Sequence, residues 1–318
     1  MCDDDGVVVV AGEALIDLVV APAGVTAAPG GAPYNVARAC ARLGAPTALV
    51  TSLSDDGFGR LLEAELTGAG VDASLVQRTD RPSTLAVAQL DAAGVATYGF
   101  YTEGTSAPLL QPGPLPAAAT TLVTGGLALV LEPMAGAVER LVLDTAGTAL
   151  VVVDVNSRPG AIGDRQTYDD RLRRVMAAAD VVKVSEEDIE FVFQDASIEA
   201  AAAEVLWSGA RAVLVTAGNG ATTVVTAEGT QSIPVAAVDV VDTVGAGDAF
   251  TAGFVTWWAA QELPRGALDD LAAIGAAAAA GHAVAAIVVT RRGADPPARD
   301  ELPACWSSAP PPQGRLSG

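Results

Sequence analysis

The segment Asp239-Val-Val-Asp242-Thr-Val-Gly245-Ala-Gly247-Asp248-Ala-Phe250 sets a Gly-Ala-Gly turn directly ahead of an apolar run. Gly245, Ala246 and Gly247 can bend the chain sharply and open a helix. The first-turn N–H groups then converge on one point, an anion site made of backbone. Asp248 falls in that first turn. A carboxylate beside a transferring phosphoryl group can take the proton of a hydroxyl nucleophile. The same residues also describe an ordinary helix start with an acidic first turn. No Walker-type Lys follows the turn, and no G-x-G-x-x-G follows an early strand, which argues against a dinucleotide fold.

Outward from this turn, short apolar strands alternate with helical segments. Strands are expected at Val7–Val10, Ala14–Val20, Thr47–Leu53, Leu122–Thr124, Leu150–Asp154, Val181–Val184 and Ala212–Thr216. Helices are expected at Asn35–Leu43, Asp56–Ala69, Pro133–Asp144, up to Ala179, at Glu186–Phe193 and at Ile198–Ser208, and then over 246–260 and 266–282. A late strand is read at Ala285–Val289 and a Gly/Pro-rich loop at Pro22–Pro33. Thr222–Thr226 and Gln231–Val235 read as a hairpin. This alternation predicts an α/β fold: a mostly parallel sheet covered by helices on both faces. Thr84–Gln89 and Ala96–Phe100 flank Asp91-Ala-Ala-Gly94, a hairpin signal that does not belong to parallel units. They predict a small β-sheet flap outside the main sheet. A single domain over 7–301 is expected, with flap strands from about 14–22 and 84–101. A Pro-rich tail follows at 302–318.

The 318 residues carry 18 basic and 38 acidic side chains, a formal net charge of -20. That balance argues against a nucleic-acid partner. It leaves room for an anionic small molecule in a locally positive pocket. Lys183 is the one lysine. Cys2, Cys40 and Cys305 stand singly, so neither a disulfide framework nor a CxxC metal pair is present. His282 is the one histidine. The acidic start Met1-Cys2-Asp3-Asp4-Asp5 is the reverse of a signal-peptide opening, and a cytoplasmic chain is expected. Residues 271–290 are uncharged and long enough to span a bilayer. They are mostly Ala and Gly, and they read as a buried small-residue helix, with no membrane partner.

Asp242-Thr-Val-Gly-Ala-Gly-Asp248 resembles the C-terminal signature of the ribokinase-like, PfkB-type carbohydrate kinases. Gly30-Gly31-Ala-Pro-Tyr-Asn35-Val-Ala-Arg-Ala-Cys-Ala-Arg-Leu-Gly44 resembles the N-terminal signature of the same family. The two occur in the family's order, and the similarity runs from Val7 to about Glu301. The resemblance implies a three-layer α/β/α fold with a small β-sheet lid. It also implies transfer of the ATP γ-phosphoryl to a primary hydroxyl, with Mg²⁺ accompanying ATP and K⁺ as a further cation. By the same resemblance, Asp248 is the base and Gly245, Ala246 and Gly247 form the anion hole. Asp17, Gly30, Gly31, Asn35, Tyr101 and Arg158 face the sugar. Lys183, Ser185, Thr216, Gly218, Gly220, Gly245 and Gly247 border the nucleotide. Asp242 helps hold a monovalent cation, and Asp188 reaches Mg²⁺ through water.

Within the family, Gly12-Glu13-Ala-Leu-Ile-Asp17, Ala32-Pro33, Asp154-Val-Asn-Ser-Arg158-Pro159 and Lys183-Val-Ser-Glu-Glu187 resemble fructokinase. Kinases of 2-keto-3-deoxygluconate share much of this but tend to place an Arg beside Tyr101, fit for a substrate carboxylate. Here that segment reads Thr102-Glu103-Gly104-Thr105, which turns the expectation to a neutral sugar, fructose first. The alternatives are ketodeoxygluconate kinase, a kinase of another sugar or nucleoside, and a sensor that binds without turnover. Ser185-Glu-Glu-Asp188 departs from the family's Asn-x-x-Glu, and Ser54 replaces a glycine. Plainer readings stand beside the functional ones. Asp17 fits a turn residue, Asn35 a helix cap, Arg158 a surface ion pair, and Lys183 a partner of either phosphate or Glu186. Phe100 and Tyr101 fit flap packing, and His282 and Cys40 fit the core. Family lids often pair, so a homodimer through the lid is also expected.

Overall fold

The buried strands divide their side chains between two apolar layers, as alternation on a pleated backbone requires. In β1 (Val7–Ala11), Val8 and Val10 enter one core while Val9 and Ala11 enter the other. The computed structural model describes residues 6–21, 24–90, 96–194, 196–303 and 306. From β1 the chain continues into β2 (Leu15–Ala21), β3 (Gly24–Gly30), α1 (Ala32–Arg42), β4 (Thr47–Val50), β5 (Ser52–Ser54) and α2 (Gly57–Gly68). Then come β6 (Gln77–Thr79), β7 (Leu85–Leu90), β8 (Ala96–Tyr101), β9 (Ala119–Gly125), α3 (Met134–Thr145) and β10 (Leu150–Asp154). The regular alternation runs on through α4 (Arg165–Ala178), β11 (Val181–Ser185), α5 (Glu186–Phe193), α6 (Ile198–Ser208) and β12 (Ala212–Thr216). A hairpin of β13 (Thr222–Thr226) and β14 (Gly229–Ile233) precedes α7 (Ala246–Ala260) and α8 (Leu271–Val288).

The central sheet has the order β14-β13-β12-β11-β10-β9-β1-β4. It is parallel from β12 to β4 and antiparallel at the β13–β14 end. Side chains from α1, α2, α7 and α8 fill one face and those from α3 to α6 the other. The result is the three-layer α/β/α architecture expected. Beside β1 the strand order reverses, and the carboxyl ends of strands at such a point form a ligand crevice. The second sheet, β3-β2-β7-β8, supplies the strands expected as a flap.

Three elements differ from the sequence reading. Part of the Pro22–Pro33 loop is strand β3, paired antiparallel with β2. It is the sheet's edge and largely exposed, where a residue without an N–H, Pro29, is tolerated. The strand expected over Thr47–Leu53 breaks at Thr51, and β5 pairs instead with β6. The strand expected at Ala285–Val289 is the last turns of α8. Val284 and Val288 lie four apart on one helical face, both buried, and no Gly or Pro lies between Gly281 and Gly293 to end the helix earlier. The 91–94 turn and the Pro310–Pro312 tail lie outside the described residues.

Among the described residues α8 is the one helix long and apolar enough to cross a membrane. Half of that window is buried inside the protein, against α7 and the β13–β14 hairpin. His282 packs edge-on against Phe250 at 5.0 Å. Cys40 is buried in the same core, and burial pushes its thiol up to about 12. Small residues set the α7–α8 distance. A Cβ on Gly253 would lie 2.7 Å from a Val284 methyl and 2.9 Å from the Gly281 Cα. Gly253→Val is therefore expected to cost about 1–3 kcal/mol by overpacking, read as a lower urea midpoint. An unchanged midpoint would show that the crossing has slack.

Candidate active site

At the carboxyl ends of β10 and β11 the apolar alternation is broken on the α7 side. Leu150 and Val152 face that core, and Asp154 takes the next position on that face. Val181 faces it too, and Lys183 follows. Asp154 and Lys183 are register partners. Lys183 Nζ donates to both Asp154 oxygens at 2.8 Å, with each side chain 7% exposed. Asp154 also accepts from the Thr251 hydroxyl of α7 at 3.0 Å. Lys183 thus pairs with neither Glu186 nor an open surface. It lies beneath the Gly-Ala-Gly turn, where a Cβ on Gly247 would come within 3.3 Å of Nζ.

Gly245 caps α7 with φ 77°. A side chain there would also collide with Ala294, whose Cβ would lie 2.5 Å away. Both conditions demand glycine. The Ala246 N–H closes a turn on Thr243 O at 3.2 Å. The free donors are therefore the Gly245, Gly247 and Asp248 amides, which have no protein acceptor among the described residues. Ala246, expected as a donor of the hole, serves its geometry instead. Asp242 pins the turn, accepting from Val244 N at 3.0 Å and Gly293 N at 2.8 Å.

Asp248 is 9% exposed and accepts from Asn35 Nδ2 at 2.8 Å. Burial raises its carboxyl to about 6. The Asn35 bond, Lys183 and Arg158 pull it down, and Asp154 pushes it up. Asn35 is not a helix cap. Gly31 is the cap residue of α1, and Asn35 sits one turn inside, where its amide reaches across to α7. Gly31 has φ 105°, and a Cβ on it would meet Glu13 O at 2.7 Å. A Cβ on Gly30 would strike Asp17 Oδ2 at 1.9 Å, so this glycine makes room for the Asp17 carboxyl. Burial raises Asp17 to about 6, against the pull of Arg158.

Among the described residues Arg158 forms no ion pair, and its Nη1 donates to the Asn156 and Ser157 carbonyls, at 3.3 and 3.0 Å. Tyr101 ends β8 and is 60% exposed. Phe100, beside it, is half-buried against the core under α3–α6.

The residues expected around the nucleotide line the neighbouring strand ends. Ser185 and Thr216 are register partners, and Gly218 (φ 55°) and Gly220 turn the chain after β12. Ser185 caps α5, exchanging hydrogen bonds with Asp188. Asp188 is buried, and its carboxylate accepts from Ser157 N (2.6 Å), Ser185 N (2.9 Å) and Ser185 Oγ (2.9 Å). These bonds make Asp188 a tie between two loops. The shorter Asp side chain accounts for this, since it closes its own capping box. No cluster of three or more His, Cys, Asp or Glu fit for a metal occurs among the described residues.

The sequence reading assigned no role to Asp154, Thr251 or Glu13. For Asp154 the available signal was a charge at the end of an all-valine strand, next to a strand carrying the opposite charge. Glu13 is 2% exposed at the end of β1, where an acid after a buried strand needs a partner.

Asp248, its carboxyl raised to about 6, and the free amides share the start of α7 at the crevice of a parallel sheet, an arrangement suited to phosphoryl transfer. Residues 7–301 match the model of the pfkB family carbohydrate kinases, and the chain belongs to that family. A fructokinase from Rhizobium leguminosarum bv. trifolii is 37% identical over 252 residues, 77% of each chain. The structure of a fructokinase from Xylella fastidiosa with bound ATP superposes with a TM-score of 0.84 at 28% identity, covering 94% of this chain and 95% of that one. A double-mutant fructokinase from Vibrio cholerae O395, bound to fructose, ADP and potassium, gives a TM-score of 0.81 at 26% identity, covering 92% and 95%.

Removing one member of the buried pair strands the other. Lys183→Met is expected to lose about 3–5 kcal/mol of stability, measured by urea unfolding. Lys183→Met combined with Asp154→Leu should recover most of that loss, because no charge is then left unpaired. A double variant no more stable than Lys183→Met would refute the pairing account.

Proposed function

We propose that the chain is an ATP-dependent sugar kinase that phosphorylates a primary hydroxyl of a neutral sugar, with D-fructose preferred and fructose 6-phosphate as product. The observation that carries this is the Asn35–Asp248 contact. It joins the family's two signature segments into one group, a carboxylate held and half-shielded beside free amides.

The mechanism follows from these residues. Asp17, Gly31 and Asn35 surround the sugar, and Asn35 keeps the Asp248 carboxylate turned toward it. Asp248 takes the hydroxyl proton as the oxygen attacks the γ-phosphorus, whose bond to the oxygen bridging to the β-phosphate breaks so that ADP leaves. The Gly245, Gly247 and Asp248 amides and the start of α7 stabilise charge on the moving phosphoryl group. Ser185, Thr216, Gly218 and Gly220 border the nucleotide. Mg²⁺ bound with ATP would supply charge neutralisation at the phosphates. Asp242 is the residue proposed beside K⁺; each of its oxygens keeps a lone pair beyond its one N–H bond. The small sheet acts as a lid that excludes water.

A neutral sugar fits the balance of charge. Arg158 is drawn on by Glu13, Asp17 and Asp248 together, and the segment after β8 adds Glu103. A sugar carboxylate would meet acids there, which disfavours ketodeoxygluconate. The intact base disfavours a sensor without turnover. We place the enzyme in the cytoplasm with its ATP, and a second copy at the exposed lid edge, β3.

Coupled ADP release across fructose, ribose, tagatose, adenosine and ketodeoxygluconate tests the reading, with fructose expected to give the highest kcat/KM. Preference for ketodeoxygluconate would overturn the charge argument. Asp248→Asn should lower kcat by about 10²–10⁴-fold with fructose binding retained, and unchanged turnover would remove Asp248 as base. Transfer needs the ionised carboxyl. Activity should therefore be low below about pH 6, where Asp248 is protonated, and rise as pH passes upward through that value. An acid limb that persists in Asp248→Asn would assign it to another group.

A further inference from the structure

Glu13 is a buried carboxyl that the mechanism above does not use. It is 2% exposed, and its Oε2 has no hydrogen-bond partner. Its surroundings hold it in one place. The backbone N–H groups of Glu13 itself and of Ala32, the first residue of α1, act on the carboxyl in favour of its ionised form. Its Oε1 borders Gly126, where a Cβ would lie 3.3 Å from that oxygen and 3.7 Å from Asn156 Nδ2. Glu13 therefore lies between the ends of β1, β9 and β10, at the reversal of strand order where the crevice opens.

Across from it stands an uncommitted cation. The loop carrying Arg158 is firmly fixed. Asn156 is held at φ 41°, the Ser157 N–H is bound by Asp188, and the Ser157 hydroxyl pairs with Tyr168 at 3.1 Å. The residue is exposed, and among the described residues its guanidinium donates to carbonyls of its own loop. Its charge nevertheless acts on Glu13. An anchored loop carries an exposed guanidinium whose charge reaches a buried carboxyl with an unpartnered oxygen, and Asn156 of the same loop borders that carboxyl at Gly126.

We propose that Glu13 is the positioning residue for Arg158: when sugar binds, the guanidinium turns inward, donates to Glu13 Oε2, and is thereby fixed across the sugar. This rests on Arg158 facing the sugar. Burial raises the unpaired Glu13 carboxyl to about 8, so it is mostly protonated at pH 7. Pairing with the guanidinium ionises it, and its proton passes to solvent. The groups acting on Glu13 are Arg158 from the loop after β10, Asp248 from α7 and the Ala32 N–H from α1. Asp17 and Asp248, both at about 6, are already mostly ionised at pH 7 and contribute little to proton release.

The test is calorimetric titration at pH 7, in buffers of different ionisation enthalpy, with the sugar the wild type turns over fastest. Wild type is expected to release most of one proton per sugar bound. Glu13→Gln, a match for the protonated form, should release almost none and bind sugar about ten- to hundredfold more weakly. Its KM for ATP should stay unchanged. Arg158→Gln should show the same loss, and the double variant should be no worse than either single one. Far-ultraviolet circular dichroism and unfolding midpoints confirm folding, and Glu13→Asp serves should the Gln variant not fold. Proton release that survives in Glu13→Gln, or losses that add in the double variant, would overturn the proposal. Fructose turnover by the wild type reports separately on the function, so a kinase that binds sugar without releasing a proton overturns the Glu13 role alone.

Discussion

The Lys183–Asp154 pair is the constraint on which the site is built. Two charges cannot sit 7% exposed on adjacent strands unless they meet. Their meeting fixes the register of β10 against β11 at the crevice. Asp154 then takes the Thr251 hydroxyl, which holds the first turns of α7 over the sheet. The Gly-Ala-Gly turn, the free amides and Asp248 all ride on that helix. The one lysine of the chain therefore acts from below. It supplies positive charge to the floor of an anion site while its own charge is covered by a carboxylate.

The pair also explains how a protein of net charge -20 can manage a polyanion. A basic patch would have to overcome the field of the whole molecule. Backbone N–H groups carry no net charge and need no such patch. The carboxyls of the crevice are arranged to the same end. Burial holds the Glu13 carboxyl up at about 8, mostly protonated at pH 7, so the crevice is less negative than its composition suggests. Asp248 accepts from the Asn35 amide, which favours its ionised form.

Much of this was legible in the sequence because it rests on local rules. Valine-rich strands separated by helices gave the parallel sheet, and two glycine-marked segments gave the helix starts that carry Asn35 and Asp248. What stayed hidden depended on partners distant in sequence. The β3 strand looks like a loop because an edge needs neither a hydrophobic face nor a full set of N–H groups. The end of α8 looks like a strand because Val284, Ile287 and Val288 are β-branched. The face they present to α7 is what keeps them helical.

Asn35 shows why the two signatures must be read together. Taken alone, an Asn at a helix start is a cap, and taken alone, an Asp at a helix start is a dipole partner. Each of those readings satisfies local chemistry and leaves the other residue unexplained. The structure puts the Asn one turn past its own cap, which frees its side chain to leave α1. The Asp is buried, so its carboxylate needs a donor from elsewhere. A contact spanning 213 positions answers both needs. It does so because β1, β10 and β11 bring α1 and α7 to the same edge of one sheet. The Asn35–Asp248 geometry is thus a property of the sheet's strand order, which brings the two signature segments together.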